Sequence, residues 1–224
     1  MFDYVTDTKY LRSIRSVCGE IMQDFCHILK EEYDIGANFY LIGSGGRNLI
    51  TQNEDKPIDL DYNLEILRCE NIKDCGTIKE SARKAFNKAL KMNGWNDCED
   101  STASLTTEER VFRRGNPTAF SMDVGIVYSD TQEQMYRLIH EKTGWCAYDR
   151  YYWVPAPNSA TIWEKAEYIK SNGQWELVRK QYLQLKNMYL QRNDHTHPSF
   201  ICYIEAVNNV YNSHPLPKPV RIIF

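Results

Sequence analysis

The chain has 224 residues, of which 42% are hydrophobic and 25% are charged, an ordinary composition for a globular protein of one large or two small domains. Its net charge of −3 excludes a strongly basic field of the kind that marks many nucleic-acid-binding proteins. The sequence shows no signal peptide and no apolar run near the ~20 residues that span a bilayer, and its seven cysteines form no CxxC pair. We therefore expect a reduced, cytoplasmic protein without a membrane partner.

The first half of the chain predicts alternating helices and strands. Hydrophobic periodicity and turn residues place these elements at residues 8–32 (helix), 38–42 (strand), 43–51 (short helix), 58–66 (strand) and 78–92 (helix). A polar loop is expected over 52–57. In the second predicted strand Ile58, Leu60, Tyr62 and Leu64 share one face, and Asp59, Asp61 and Asn63 share the other.

The second half changes from strands to helices. Two strands over 104–112 and 119–128 are expected to form a hairpin, and 134–153 favours a second hairpin. Helices follow at about 161–171, 174–192 and 198–212; the tail 215–219 contains too much proline to be helical, and His195 and His197 are expected at a helix end rather than at a zinc site. The pattern predicts an α+β fold, with a mixed-sheet domain over 1–158 and a helical subdomain over 159–224.

Three aspartates are the most informative residues. Asp59 and Asp61 are two positions apart in a strand, so both carboxylates project from the same face, and Asp123 lies in another apolar strand. Carboxylates crowded in this way are hard to ionise unless a cation neutralises them. Hard oxygen ligands select Mg²⁺ or Mn²⁺, which proteins commonly bind together with substrate phosphates. We therefore predict a site for a metal-bound nucleotide. Asp123 has a plainer interpretation, as the partner of an arginine such as Arg110 or Arg113.

A glycine-rich segment precedes these aspartates. Gly43 and Ser44 follow the predicted strand 38–42, where backbone N–H groups and the serine hydroxyl can bind a phosphate. Arg47 lies one turn later and is a candidate for the same anion, or for a helix cap. The segment does not match a P-loop, since no lysine follows, and it lacks the third glycine of a dinucleotide fingerprint at Asn48.

Taken together, Gly43-Ser44, Asp59-Leu60-Asp61 and Asp123 resemble the nucleotidyltransferase superfamily related to DNA polymerase beta. The loop from Gly43 to Asn48 is similar to that of oligoadenylate-synthase and bacterial cyclic-nucleotide-synthase relatives, and antibiotic nucleotidyltransferases share the pattern. The resemblance covers about residues 38–128. It implies a polymerase beta-like palm sheet followed by a helical domain. The spacer between the loop and Asp59 is slightly longer than in the simplest version of the pattern.

The resemblance also implies roles for individual residues. Asp59 and Asp61 would bind two Mg²⁺ ions, with Mn²⁺ as the alternative, and Asp123 would bind the catalytic ion. Gly43, Ser44 and Arg47 would bind the nucleotide, and Lys186 is the candidate for a basic residue that the helical domain places over the triphosphate. The reaction would move an NMP from an NTP, with ATP favoured, to an acceptor hydroxyl and release pyrophosphate.

The residues leave the acceptor open. A small molecule such as an antibiotic, a second nucleotide, an RNA 3′ end and a protein side chain would all use the same aspartates, and a toxin that modifies a host RNA or protein is included among these alternatives. A different class of function is also open, in which the fold senses a nucleotide or binds a partner without catalysis. The presence of all three aspartates disfavours that alternative.

Overall fold

A computed structural model describes residues 1–157, 160–194 and 198–213. These residues form two compact units: Val5–Pro157, and Met1–Tyr4 together with 160–194 and 198–213. His195, His197 and the tail 215–219 lie outside the described residues. The assignment of a mixed-sheet domain to 1–158 and of a helical subdomain to 159–224 stays a prediction.

The elements follow the order that the sequence predicts, with small additions. In chain order they are β1 (Phe2–Tyr4), α1 (Thr8–Tyr33), β2 (Gly36–Leu41), α2 (Gly43–Gly46), β3 (Thr51–Asn53), β4 (Ile58–Arg68), α3 (Cys75–Met92), β5 (Glu99–Asp100), β6 (Leu105–Thr106), β7 (Phe120–Ser129), β8 (Met135–Glu141), a 3₁₀ turn (Cys146–Tyr148), β9 (Arg150–Pro155), α4 (Ala160–Ser171), α5 (Trp175–Gln191) and α6 (Ser199–Ser213).

The unit Val5–Pro157 is built on one mixed sheet. Its strands run in the order β2-β4-β7-β6-β5, and β8 pairs with β7 and with β9. β4 and β7 are parallel, whereas the other pairs are antiparallel. Both hairpins that the sequence predicts are present, as β6–β7 and β8–β9. The mixed sheet and the helices confirm the predicted α+β class.

The core lies between one face of this sheet and the helices α1 and α3. Ile58, Leu60, Tyr62 and Leu64 of β4 are all buried, which confirms the predicted apolar face. The helices contribute Phe25 and Phe86, both fully buried, whose ring centroids lie 4.9 Å apart. Because α1 and α3 cover only one face, the polar residues of β4 are left on the opposite face of the sheet.

The structure corrects two sequence predictions. The short helix from Gly43 ends at Gly46 rather than near Thr51, because Asn48 adopts φ +58°, in the left-handed region that terminates helices. The chain then enters β3, so the expected polar loop begins with a short strand. The strand predicted over 104–112 is limited to β6, with one further bridge between Arg110 and Phe120.

The second unit is a small helical cluster. Its three helices bury Ile169, Val178, Tyr182, Cys202, Ala206 and Val207. The first residues of the chain join this cluster, since the Asn187 side chain bonds the backbone N–H and carbonyl of Phe2 at 2.7 and 2.9 Å. Within the described ranges, no helix has both the length and the apolar character required to cross a membrane.

The packing of α1 on α3 yields a stability prediction. Phe86→Ala removes a fully buried ring and leaves a cavity, so we expect the free energy of unfolding to fall by about 3–5 kcal/mol. Urea unfolding followed by far-UV circular dichroism measures this change. Met92→Ala is the matched control, because Met92 lies on the same helix and is 63% exposed; a comparable loss in that variant would contradict the assignment of the core.

Candidate active site

The polar face of the sheet brings the three predicted aspartates onto two adjacent strands. In the parallel pairing of β4 and β7, Asp61 is the register partner of Asp123, and Asp59 is the partner of Ser121. Register partners project from the same face, so the carboxylates of Asp61 and Asp123 lie side by side. In sequence these two residues are far apart, and only the parallel register makes them neighbours.

Each outer aspartate accepts a hydrogen bond from a hydroxyl group. Ser121 Oγ donates to Asp59 Oδ1, and Thr106 Oγ1 donates to Asp123 Oδ1 at 2.5 Å. Asp123 forms no ion pair within the described part of the chain, and Arg110 instead pairs with Glu108 at 3.0 Å. The plainer interpretation of Asp123, as the partner of Arg110, is therefore wrong. Thr106 and Ser121 were not identified from the sequence.

Asp61 occupies the centre of the acidic group. Burial, together with the charges of Asp123 and Asp59, raises the pKa of its carboxyl to about 6, and the charges of Arg137 and Arg47 oppose this shift. A carboxylate in this position is unstable as an anion without a nearby cation. The crowding that the sequence pattern predicts is thus present around Asp61.

The glycine loop lies directly against Asp61. Gly43 has φ +58°, and a Cβ atom at this position would lie 2.1 Å from Asp61 Oδ2. The Ile42 N–H also donates to the Asp61 backbone carbonyl at 2.8 Å. Position 43 therefore requires glycine for two reasons: the left-handed backbone and the close approach of the carboxylate.

Arginines hold the backbone of this loop. Arg47 Nη1 donates to the Gly43 carbonyl at 2.8 Å, and Arg15 of α1 donates to the Gly45 carbonyl at 2.9 Å. Ser44 accepts the Leu49 N–H with its carbonyl at 2.8 Å. Because α2 is a single turn, a helix dipole adds little to anion binding, and the candidate phosphate ligands are the loop N–H groups, the Ser44 hydroxyl and Arg47.

A cavity of about 140 Å³ opens beside Asp61 and Asp123, lined also by Asn63, Ser104, Gly125 and Arg137. Asn63 is 5% exposed, and its Oδ1 has no hydrogen-bond donor within the described residues. Arg137 on β8 packs next to Gly125. A Cβ atom added to Gly125 would lie 3.7 Å from Arg137 Nε. Sequence reasoning missed Arg137, although an arginine inside a predicted strand next to the Asp123 strand is a usable signal.

Lys186, the remaining predicted residue, lies in the helical unit. It is half-buried on α5, and its ammonium group lies 3.9 Å from the ring centroid of Phe2 and 5.5 Å from that of Tyr182. Burial lowers the pKa of Lys186 to about 8. Contact with a triphosphate stays a prediction for this residue.

The donor set fits a hard divalent cation. Asp61 and Asp123 lie side by side on adjacent strands, Asp59 is on the same face of β4, and Gly43 has no side chain that would clash with the Asp61 carboxylate. The three carboxylates are not fully converged, because within the described ranges no group of three His, Cys, Asp or Glu side chains is close enough to hold a metal.

Comparison with solved structures identifies the fold. The structure of Vibrio cholerae DncV cyclic AMP-GMP synthase with the linear intermediate 5′ pppA(3′,5′)pG is similar over 96% of this chain and 70% of that chain, at 10% identity and a TM-score of 0.64. The structure of E. coli MS115-1 CdnC with ATP is similar over 91% of this chain and 60% of that chain, at 11% identity and a TM-score of 0.60. The structure of Elizabethkingia meningoseptica CdnE cyclic dinucleotide synthase with GTP and Apcpp is similar over 87% of this chain and 69% of that chain, at 14% identity and a TM-score of 0.51.

This chain has the polymerase beta-like nucleotidyltransferase fold. The resemblance that the sequence motifs predict is confirmed at the level of the fold. The chain spans about 60–70% of the length of these three proteins. No family model and no curated protein matches the sequence.

The contact between the glycine loop and Asp61 gives a prediction specific to this nucleotidyltransferase fold. Gly43→Ala forces a Cβ into Asp61 Oδ2, so we expect loss of metal-dependent nucleotide binding in addition to backbone strain of about 1–2 kcal/mol. Isothermal titration with ATP and Mg²⁺ measures the first effect, and urea unfolding measures the second.

Gly144→Ala is the matched control for that variant. Gly144 also has a positive φ, +85°, but nothing lies within 4 Å of the position of its Cβ. We expect a similar backbone cost with unchanged nucleotide binding. Equal loss of binding in the two variants would contradict the proposed contact.

The burial of Asp61 predicts a pH-dependent effect on stability. Its folded-state pKa, about 6, exceeds the ordinary value of 3.8, so wild-type protein loses stability as pH rises through this range. Asp61→Asn removes the ionisable group and should stabilise metal-free protein, by about 1 kcal/mol more at pH 8 than at pH 5. Urea unfolding in EDTA at the two pH values measures the difference. An equal effect of Asp61→Asn at both values would show that the carboxylate is not crowded.

Proposed function

We propose that this protein is a Mg²⁺-dependent nucleotidyltransferase that moves an NMP from an NTP to an acceptor hydroxyl and releases pyrophosphate. The observation that carries the proposal is the pairing of Asp61 with Asp123 across parallel strands, directly against the left-handed Gly43. The proposal is supported because carboxylates, which suit a divalent cation, lie next to a loop whose N–H groups suit a phosphate. Similar structures include complexes with ATP and with GTP, which supports an NTP as the substrate.

The residues divide the work of the reaction. Asp59 and Asp61 would hold the two metal ions, and Asp123 would hold the catalytic ion or accept the proton of the acceptor hydroxyl. Mg²⁺, when bound, would supply positive charge that stabilises both the attacking and the leaving oxygen. The acceptor oxygen forms a bond to the α-phosphorus while the bond to the β-phosphate oxygen breaks. The protein contributes mainly the positions of these groups.

The glycine loop and its arginine bind the leaving group. The Ser44 hydroxyl and the loop N–H groups bind the terminal phosphates, and Arg47 adds a positive charge beside them. Arg47 already contacts the Gly43 carbonyl, so its guanidinium is held next to the loop. Lys186 is proposed as a further ligand of the triphosphate.

Thermal unfolding tests the binding step. We expect ATP with Mg²⁺, at 100 times its Kd, to stabilise the wild-type protein by ~2.7 kcal/mol. The stabilisation should be absent with ATP and EDTA, and also in an Asp59→Asn/Asp61→Asn double variant. Parallel measurements with GTP, CTP and UTP give the base preference. No stabilisation of the wild type by any NTP would count against the proposal.

A second candidate function is a nucleotide-sensing or partner-binding module without catalysis. It is favoured by one observation: Asp59 accepts a hydrogen bond from Ser121 instead of converging with the other carboxylates. Incubation with α-³²P-labelled NTPs distinguishes the two functions. Release of labelled product or of pyrophosphate that requires Asp61 supports transfer, whereas metal-dependent binding without turnover for any acceptor class supports the module.

A further inference from the structure

A lysine that the mechanism does not use is buried behind the active site. Lys79 on α3 is 2% exposed, and its Nζ lies 3.1 Å from Asp100 Oδ1. It also donates to the backbone carbonyls of Ser101 and Ser104 at 3.3 and 3.2 Å. A lysine is rarely buried to this extent unless its charge is paired and its hydrogen bonds are satisfied.

The turn that Lys79 holds is one wall of the cavity. It connects β5 to β6, and Ala103 and Ser104 line the space beside Asp61 and Asp123. Ser101 N–H closes the turn on the Ser104 carbonyl at 3.0 Å. The Thr102 carbonyl accepts the His140 N–H at 2.7 Å, so three of the four carbonyl groups in the turn have named donors.

Asp100 links the same turn to β8. Its Oδ2 lies 2.7 Å from His140 Nδ1, and His140 Nε2 lies 3.1 Å from Asp149 Oδ2. Lys79 and His140 thus hold Asp100 from two sides. The turn is anchored to both α3 and β8, the elements on either side of it.

A short chain of hydroxyl groups connects this turn to Asp123. Thr106 Oγ1 lies 3.4 Å from Ser101 Oγ and 3.3 Å from Ser104 Oγ, and it donates to Asp123 Oδ1 at 2.5 Å. A threonine hydroxyl has one hydrogen and two lone pairs. With its hydrogen on Asp123, Thr106 can accept hydrogen bonds from both serines, and the turn therefore sets the direction of the Thr106 hydroxyl.

We propose that Lys79 is a positioning residue for Asp123, acting through the turn Ser101–Ser104 and the Thr106 hydroxyl. The bond from Thr106 occupies Asp123 Oδ1 and leaves Oδ2 for a divalent cation. Lys79 keeps the serine hydroxyls in place and so keeps this orientation. The inference rests on the proposed function, because it assigns Asp123 as a metal ligand.

Outer residues of this kind have measurable effects on metal affinity. Groups that orient a ligand commonly change metal affinity by 10–100-fold when they are removed. The effect of Lys79 should therefore appear in metal binding itself, without turnover. A purely structural lysine would change the stability of the fold without this specific effect.

The test uses a variant that avoids a buried unpaired charge. Lys79→Met/Asp100→Asn removes both charges of the pair and keeps the side-chain volumes close to those of the wild type. Mn²⁺ affinity is measured from the electron paramagnetic resonance signal of free Mn²⁺, in the presence of a non-hydrolysable ATP analogue. We expect about a 10-fold loss of affinity. Lys84→Met is the control, because Lys84 lies on the same helix with its side chain 56% exposed, and we expect its affinity to be unchanged.

A double-mutant cycle tests whether Lys79 acts on Asp123 through the Thr106 hydroxyl. Thr106→Val removes the hydroxyl that contacts Asp123, and we expect it to weaken Mn²⁺ binding to a similar extent. If Lys79 acts through Thr106, the combined variant should bind Mn²⁺ about as well as Thr106→Val alone. Hydrogen exchange at the Ser101 and His140 amides, both bonded to carbonyls of the turn, should accelerate in Lys79→Met/Asp100→Asn and not in Lys84→Met.

The outcomes separate this inference from the proposed function. If the wild type binds no Mn²⁺ with the analogue, the proposed function fails, and the role of Lys79 fails with it. If the wild type binds Mn²⁺ and the affinity of Lys79→Met/Asp100→Asn stays within twofold of it, the inference alone is overturned. The same holds if the losses of affinity in Lys79→Met/Asp100→Asn and in Thr106→Val simply add in the combined variant. Should the Met variant not fold, Thr106→Val tests the same chain of contacts without touching Lys79, and unchanged Mn²⁺ affinity in that variant also overturns the inference.

Discussion

The parallel pairing of β4 with β7 is the constraint on which the rest of the site depends. It sets Asp61 beside Asp123 and Asp59 beside Ser121, so that one register decides which carboxylates meet. Because side chains alternate between the two faces of a sheet, a shift by one residue would turn an aspartate into the core and a leucine or methionine outward. The buried Leu60 and Met122, on the opposite face, oppose such a shift. The hydrophobic core thus specifies the position of the acidic site.

The acidic group is unfavourable for the folded protein by itself. Asp61 is partly buried next to two other carboxylates, and Gly43 and Ile42 of the loop close in on it. The helices α1 and α3 bury apolar surface against the sheet, which opposes this unfavourable contribution. Under the proposed function, a bound cation would remove this repulsion, so binding would stabilise the protein more than it would at uncrowded carboxylates.

Around these carboxylates the structure supplies hydroxyl groups and buried charges that come from distant parts of the chain. Ser121 lies on the same strand as Asp123, whereas Thr106 comes from β6 and Lys79 from α3. Arg137 and the unsatisfied Asn63 Oδ1 complete the wall of the cavity. The carboxylates and the side chains that contact them therefore belong to different elements, and each contact depends on the packing of the sheet.

Much of the fold and of the candidate site could be predicted from the sequence. The apolar alternation of β4 and the spacing in α1 predict their elements because both patterns repeat over many residues, and the spacing of Asp59 and Asp61 predicts a shared face. Gly43-Ser44 and the aspartate motifs also indicated the nucleotidyltransferase fold. The early end of α2 was missed because it depends on the left-handed backbone of the single residue Asn48.

The partners of the aspartates were decided by tertiary structure. Thr106, Ser121, Arg137 and Lys79 carry no local motif, and each becomes part of the site through a strand register or a helix packed on the sheet. Local patterns report on neighbours along the chain, but a contact between strands far apart in sequence depends on the register in which those strands pair. The sequence by itself determined which carboxylates share a strand face. The fold decided which hydroxyl groups and which basic side chains surround them.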